Sequence, residues 1–309
     1  MHRTIEITGG APGGGRRLAE DLARIDAVVG VILHEGASVK PPGDVVVAQV
    51  LNRGADEVLK WAAKYHEHGP VSVVTAEVTS IIDPDRDDDV EDDVVEDVWE
   101  EMETGLRHQG RVTTNFLALM AIGGAVAVIG LVSDPVPQAI AFVASGLIAP
   151  GFEPIAKILL GAVLGRPNVI GRGLVSMLAG YAVLVATAAL TFYVLRAVGA
   201  TTIEALAANP EIEKIAHPTA LELTTSGLAA TAGVLMLAAY RRSVIAGALM
   251  ALILIPAAAL IGAGLISGRF DLAREGLERF AVDALLIVLF GALVVWVKQV
   301  TVHRRKPMV

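Results

Sequence analysis

Two charged residues stand where the chain is otherwise apolar: Glu153 and Lys157, in the run Ala149-Pro150-Gly151-Phe152-Glu153-Pro154-Ile155-Ala156-Lys157. An ionised group in hydrocarbon is costly, so such residues face a bundle interior or a water cavity and have a partner. At i,i+4 with the acid first, the two can neutralise each other on one helix face and close a kink as a structural pair. The same arrangement suits a substrate or proton role. Pro150 and Pro154 each remove an amide donor and free carbonyls that must be satisfied inside the protein. A second break, Leu254-Ile255-Pro256-Ala257, lies in a later apolar segment. The candidate substrate- or ion-binding residues are therefore Pro150, Glu153, Pro154, Lys157 and Pro256, where the second and fifth apolar segments are expected to meet.

Other chemistry has less support. The absence of cysteine rules out disulfides, thiolate metal sites and thiol nucleophiles. The seven histidines show neither HExxH nor paired-His spacing, and none falls inside an apolar segment. His217, beside Pro218, reads as structural. The sequence thus implies no enzyme, no metal site and no cofactor. Asp87-Asp88-Asp89 and Glu91-Asp92-Asp93 cluster carboxylates but lack EF-hand order, and read as a solvated linker. The glycine-rich stretch Gly9 to Gly15, followed by Arg16 and Arg17, invites an anion-binding reading. It does not match GxxxxGK[ST], and a flexible loop is the simpler account. A formal charge of -8 argues against nucleic acid as a partner.

The elements that must position these residues fall into two kinds. Residues 1–82 read as a soluble α/β domain with strands at Thr4–Thr8, Ala27–Leu33, Val45–Leu51 and Val71–Val78, and helices at Arg16–Leu22 and Ala55–His66. The order β-α-β-β-α-β is that of a ferredoxin-like sandwich. Residues 83–111 read as an acidic linker with an amphipathic helix from Val90 onward.

Residues 112–300 hold six apolar segments, near Asn115–Val132, Gln138–Gly165, Ile170–Leu195, Ala220–Ala239, Val244–Ile266 and Ala281–Val300. Each is long enough for a hydrocarbon core about 30 Å thick. With 54% hydrophobic residues and a mean hydropathy of +0.60, the chain reads as a membrane protein: an all-α bundle of six spans behind a small α/β domain. The N-terminus lacks signal-peptide architecture. Basic residues flank alternate turns (Arg107 and Arg111, Arg166 and Arg172, Arg241 and Arg242), and residues 301–309 form a basic tail. That asymmetry puts both termini in the cytoplasm of a multi-pass inner (plasma) membrane protein. Glu222 and Asp283 fall near segment ends. The proline-broken segments are the middle members of two three-span halves, and Arg172-Gly173-Leu174 echoes Glu275-Gly276-Leu277. Both suggest a 3+3 inverted repeat with a site at the midplane. Dense small residues suit close helix contacts and a homo-oligomer, a dimer first.

Thr114-Asn115-Phe116, the Ala149–Pro154 break and Ile255-Pro256 resemble the bacterial and archaeal membrane family catalogued as domain of unknown function 389. That resemblance implies a hydrophobic multi-span domain after a small α/β domain, and no defined activity. Pro150, Pro154 and Ile155 match its second-span motif. Phe152 and Glu153 depart from it, as does Ala257, where the family has a second proline. The expected function is a secondary transporter or channel for an unknown small solute or ion, embedded in the lipid bilayer, with a regulatory cytoplasmic domain. The alternative is a membrane-anchored sensor or scaffold whose soluble domain binds a ligand or partner.

Overall fold

The computed structural model describes residues 2–10, 13–239 and 243–308, and the side chains of all of these except 243–253. The chain divides into two compact units, Met1–Glu101 with His303–Val309, and Met102–Val302.

In the first unit, β1 (His2–Gly9), α1 (Gly14–Leu22), β2 (Val28–Val39), β3 (Pro42–Val50), α2 (Ala55–His66) and β4 (Val71–Val78) follow one another. The sheet order is β2-β3-β1-β4, with every neighbouring pair antiparallel. Alternation along β1 and β3 sends Ile5, Ile7, Val46, Ala48 and Val50 to one face. Leu18 and Leu22 of α1 and Val58, Leu59 and Ala62 of α2 cluster with them in the core. Each helix has its apolar residues three and four apart, as one buried stripe requires.

The acidic stretch departs from expectation. It forms two short helices, α3 (Asp87–Glu91) and α4 (Trp99–Gln109), with non-helical backbone between them. The cause is Asn52, whose Nδ2 donates to the carbonyls of Val94 (2.8 Å) and Glu96 (2.6 Å). Asp93 in turn accepts from the backbone amides of Asn52 and Arg53. Groups that a continuous helix would use internally are bound to the domain instead.

The basic tail also differs from a free extension. Arg305 bridges Asp56 and Glu100, His303 Nδ1 lies 2.6 Å from Asp56, and Met308 packs against the core. Trp99 covers the His303 ring at 4.3 Å. Burial pushes the Asp56 and Glu100 carboxyls up. For Asp56 the His303 hydrogen bond and the Arg305 charge outweigh it, and for Glu100 Arg305 does, so both end below the ordinary range. Across the sheet's end, Arg3 is fully buried and holds Asp97 and Glu101. Burial and the neighbouring Glu101 carboxylate push Asp97 up to about 8, against the pull of Arg3.

The second unit is helical: α5 (Thr114–Leu131), α6 (Pro135–Ile148), α7 (Glu153–Val163), α8 (Pro167–Ala197), the short α9 (Ile203–Ala207) and α10 (Pro210–Ala216), α11 (Ala220–Ala238), α12 (Ser243–Ser267) and α13 (Phe270–Lys298). Among the described residues, four helices are long and apolar enough to cross a membrane, and α6 with α7 makes a fifth broken at 54°. The fifth expected span corresponds to α12. Its first part, like the flanking Arg241 and Arg242, lies outside the residues whose side chains are described. Apolar side chains remain exposed along these helices, Ile140, Leu178, Leu190, Leu228 and Leu289 among them. Such surface belongs in a lipid environment rather than in water.

The last helix starts earlier than expected. It begins at Phe270 and carries Arg279 and Asp283 inside a 29-residue helix. Arg279 balances Asp283 one turn away, which lets charge continue the helix inward.

Candidate functional site

The break between α6 and α7 is built by prolines acting in different ways. Pro154 sits in the first turn of α7, where a missing amide costs nothing. Pro150, half-buried, lies in the non-helical link. The carbonyl freed at Gly151 accepts a hydrogen bond from the Tyr181 hydroxyl of α8 at 3.1 Å. Tyr181 is held edge-on against Phe280 of α13, with ring centroids 4.6 Å apart. A side chain at Gly151 would meet the Tyr181 hydroxyl at 2.6 Å and Ile255 of α12 at 3.8 Å. The expected second break does not form, because α12 continues through Pro256. That continuous helix approaches the α6–α7 break where Ile255 faces Gly151.

The charged pair does not close on itself. Lys157 Nζ donates to the Gly110 carbonyl at 2.7 Å, just beyond the end of α4. A cation is favoured at a helix C-terminus, where carbonyls lack partners. Glu153 is as buried as Lys157, and its Oε2 has no partner among the described residues. The i,i+4 spacing brings the side chains to one face, but the nearer carbonyl takes the ammonium.

Four of the five expected residues line three cavities rather than one, and Pro154 is buried in the first turn of α7. Pro150 and Glu153 border a space of about 410 Å³ with His108, Asn115 and Phe116. Lys157 borders another, of about 890 Å³. Pro256, buried within α12, borders a third of about 260 Å³ with Ser226, Glu222, Lys214 and Arg279. The first and third lie toward opposite ends of α5. Asn115 and Phe116 begin that helix, whereas Asn209, beside the α10 residues of the third cavity, bonds the Leu131 carbonyl at its far end.

Sequence reasoning missed the third cavity's charge. Arg279 donates to Asp283 at 2.7 Å and to Ser226 at 3.2 Å, with the Asp283 side chain fully buried. Asp283 Oδ1 and Arg279 Nη1 have no partner among the described residues. The i,i+4 spacing of Arg279 and Asp283 was the available signal. It went unused because the apolar segment was taken to start at Ala281. Nothing in the sequence marks Tyr181.

The packing repeats along the chain. A side chain at Gly173 of α8 would meet the Pro154 carbonyl (2.8 Å) and the Ile158 amide (3.1 Å) of α7. One at Gly276 of α13 would meet the Ala257 carbonyl (2.8 Å) and the Ile261 amide (3.1 Å) of α12. Likewise Gly161 approaches the Ile170 amide and Gly264 the Ala273 amide. Gly165-Arg166 and Gly268-Arg269 form the two intervening turns, each with a left-handed glycine and an arginine amide bonded back to Gly161 or Gly264. Every member of the second set lies 103 residues after its counterpart. The helix contacts match as well: α5·α8 with α11·α13, α7·α8 with α12·α13, and α8·α12 with α13·α7.

A bundle of long apolar helices with a proline-broken member and buried charge is the architecture of a membrane-embedded protein. Residues 147–289 match the family model described as Domain of unknown function (DUF389), the family the motifs resemble. No curated protein and no solved structure matches the chain.

Proposed function

We propose that this is a six-span secondary transporter or channel, with α6 and α7 as one broken span and α12 as the fifth. The observation that carries this reading is the 103-residue recurrence of close helix contacts. It divides the bundle into α5–α8 and α11–α13. Three spans per half reverse the second half relative to the first. Pro256, in the continuous α12, stands one residue from the counterpart of Pro154. Proline-bearing segments at corresponding places in inverted halves point to a substrate path. Pro150, Glu153, Pro154, Lys157 and Pro256 are the expected contacts for a small solute or ion, joined by Tyr181 and by Arg279 with Asp283. Cavities entering from opposite ends, separated by Gly151, Tyr181 and Ile255, suit a path closed in its middle.

The N-terminal unit is read as a ferredoxin-like regulatory domain, because its element order and sheet order are those of a split βαβ sandwich. Both termini are placed in the cytoplasm of the plasma membrane, the assembly as a homodimer, and the protein outside the enzymes. Cysteines placed at Asn115 and Thr225 test the reading. Each should react with a membrane-impermeant thiol reagent from one side only, and from opposite sides. Reaction of both from the same side would reject it.

One observation favours the sensor alternative. The N-terminal unit has its own cleft of about 590 Å³, where Trp61 and Tyr65 stand with Arg17, Lys64 and His68. Aromatic faces with cations suit a planar anion. Ligand binding there without any flux through the bundle would support that alternative.

A further inference from the structure

One cavity of the helical unit, about 890 Å³, has an unusual lining. Arg107 and His108 come from the end of α4, Arg111 from the turn before α5, Lys157 from α7 and Arg172 from α8. Among the described residues, no acidic side chain lines it. Arg107 is engaged by Glu103 at 2.6 Å, and Lys157 spends one of its three protons on Gly110. Arg111 and Arg172 have no hydrogen bond or ion pair among the described residues. Of these four converging cations only Arg107 has an ion-pair partner, so the others repel one another, and Lys157, only 5% exposed, cannot turn away into bulk water. The arrangement is favourable once an anion occupies it.

We propose that this cavity binds a phosphate-bearing anion. Guanidinium forks from Arg111 and Arg172 match phosphate oxygens in pairs, and the Lys157 ammonium supplies a buried point charge beneath them. Asn168, in the first turn of α8, lies in the same lining, so the positive end of that 31-residue helix adds to the field. Val175, 62% exposed, also belongs to the lining, and Leu174 and Leu178 beside it are exposed as well. This apolar margin suits the acyl chains of an acidic phospholipid, whose headgroup is one source of the phosphate. A soluble phosphate ester is the other. The site does not depend on the bundle transporting anything. Basic residues at this end also fit a purely topological role, which the test separates.

The test uses the full-length protein in mild detergent, titrated with phosphatidylglycerol, phosphatidylcholine, glycerol phosphate and inorganic phosphate. Bound ligand is read by native mass spectrometry and by the shift in melting temperature. Phosphatidylglycerol should be retained in preference to phosphatidylcholine, or glycerol phosphate should bind and compete with it. The first result assigns a lipid, the second a soluble ester. Arg111→Gln with Arg172→Gln, both at exposed positions, should weaken binding about tenfold or more, since each removes charge-assisted bonds. Cysteine labelling should show this double variant inserted in the wild-type orientation. No preference among the four ligands, or affinity unchanged in the double variant, overturns the proposal.

Discussion

The two halves of the bundle share a packing scheme but handle buried charge differently. In the first half, Glu153 stands at the broken helix without a cation, and Lys157 turns to the Gly110 carbonyl. In the second, Asp283 is held by Arg279, which also donates to Ser226, under an unbroken α12. A repeated scaffold therefore fixes where helices touch and leaves each copy free in what it places at the contact. Pro154 and Ala257 occupy equivalent places, as do Glu153 and Pro256. The proline moves by one residue, the helix around it stays continuous, and the acid moves to another helix.

The largest effect should come from dividing the paired charge. Arg279→Met should destabilise the protein by about 3–5 kcal/mol, because it leaves Asp283 alone in a buried setting. Adding Asp283→Leu should recover most of that loss. Glu153→Gln, by contrast, removes a carboxylate that has no cation and should change the melting temperature little. Thermal unfolding of the three variants and the wild type in detergent decides it. Equal losses for Arg279→Met and Glu153→Gln would erase the difference between the halves.

Next in size are the glycines at equivalent contacts. Gly173→Ala and Gly276→Ala each place a methyl against backbone at 2.8 Å, and should cost about 1–3 kcal/mol apiece. Similar losses sharpen the repeat. A large loss at one and none at the other would break it.

Tyr181→Phe removes the donor that satisfies the Gly151 carbonyl and should cost about 1–2 kcal/mol. The second half has no counterpart, since Ala284 stands at the equivalent place. Ala284→Gly should therefore have the smaller effect of the two on the melting temperature.

The smallest effect lies outside the bundle and depends on pH. Asp97 is raised above its unfolded value, so its contribution to stability is complete below about pH 4. That contribution is lost as pH rises through about 8. Asp56 and Glu100 are lowered, so theirs is present above the ordinary carboxylate range and lost as pH falls through the depressed values. The N-terminal unit should be most stable in mild acid. Glu101→Gln should flatten the alkaline side by removing the charge that raises Asp97. The fluorescence of buried Trp99, followed during unfolding from about pH 2 to 9, measures both slopes. A wild-type alkaline slope that survives unchanged in Glu101→Gln would refute this account of Asp97.

Period and punctuation made much of this fold legible in the sequence. Ala55–His66 and Val71–Val78 match their helix and strand end to end, because Gly54, Gly69 and Pro70 delimit them. The apolar segments correspond to α5, the bent α6–α7 pair, α8, α11, α12 and α13, since apolar runs of that length have few alternatives. What hydropathy hides is polar residues inside a helix: a segment cut at Ala281 leaves out Arg279, the partner of Asp283. Asn52 breaks the acidic linker through contacts made 42 and 44 residues away, which no local pattern records. At the candidate site, proline and charge singled out Glu153, Lys157 and Pro256. Their separation into three cavities, and the hydroxyl of Tyr181, depend on tertiary placement.

The docked C-terminal segment has a consequence in time. Asp56 and Glu100 receive Arg305 only after the ribosome has added about 200 further residues, roughly 10–40 s of synthesis at bacterial rates. Throughout that interval the nascent N-terminal unit carries two acids without their cation and Trp99 without its His303 cover. Its consolidation therefore waits until the helical unit has been synthesised. A polypeptide stalled before His303 would present an incomplete domain, a ready mark by which quality-control proteases could tell unfinished copies from finished ones.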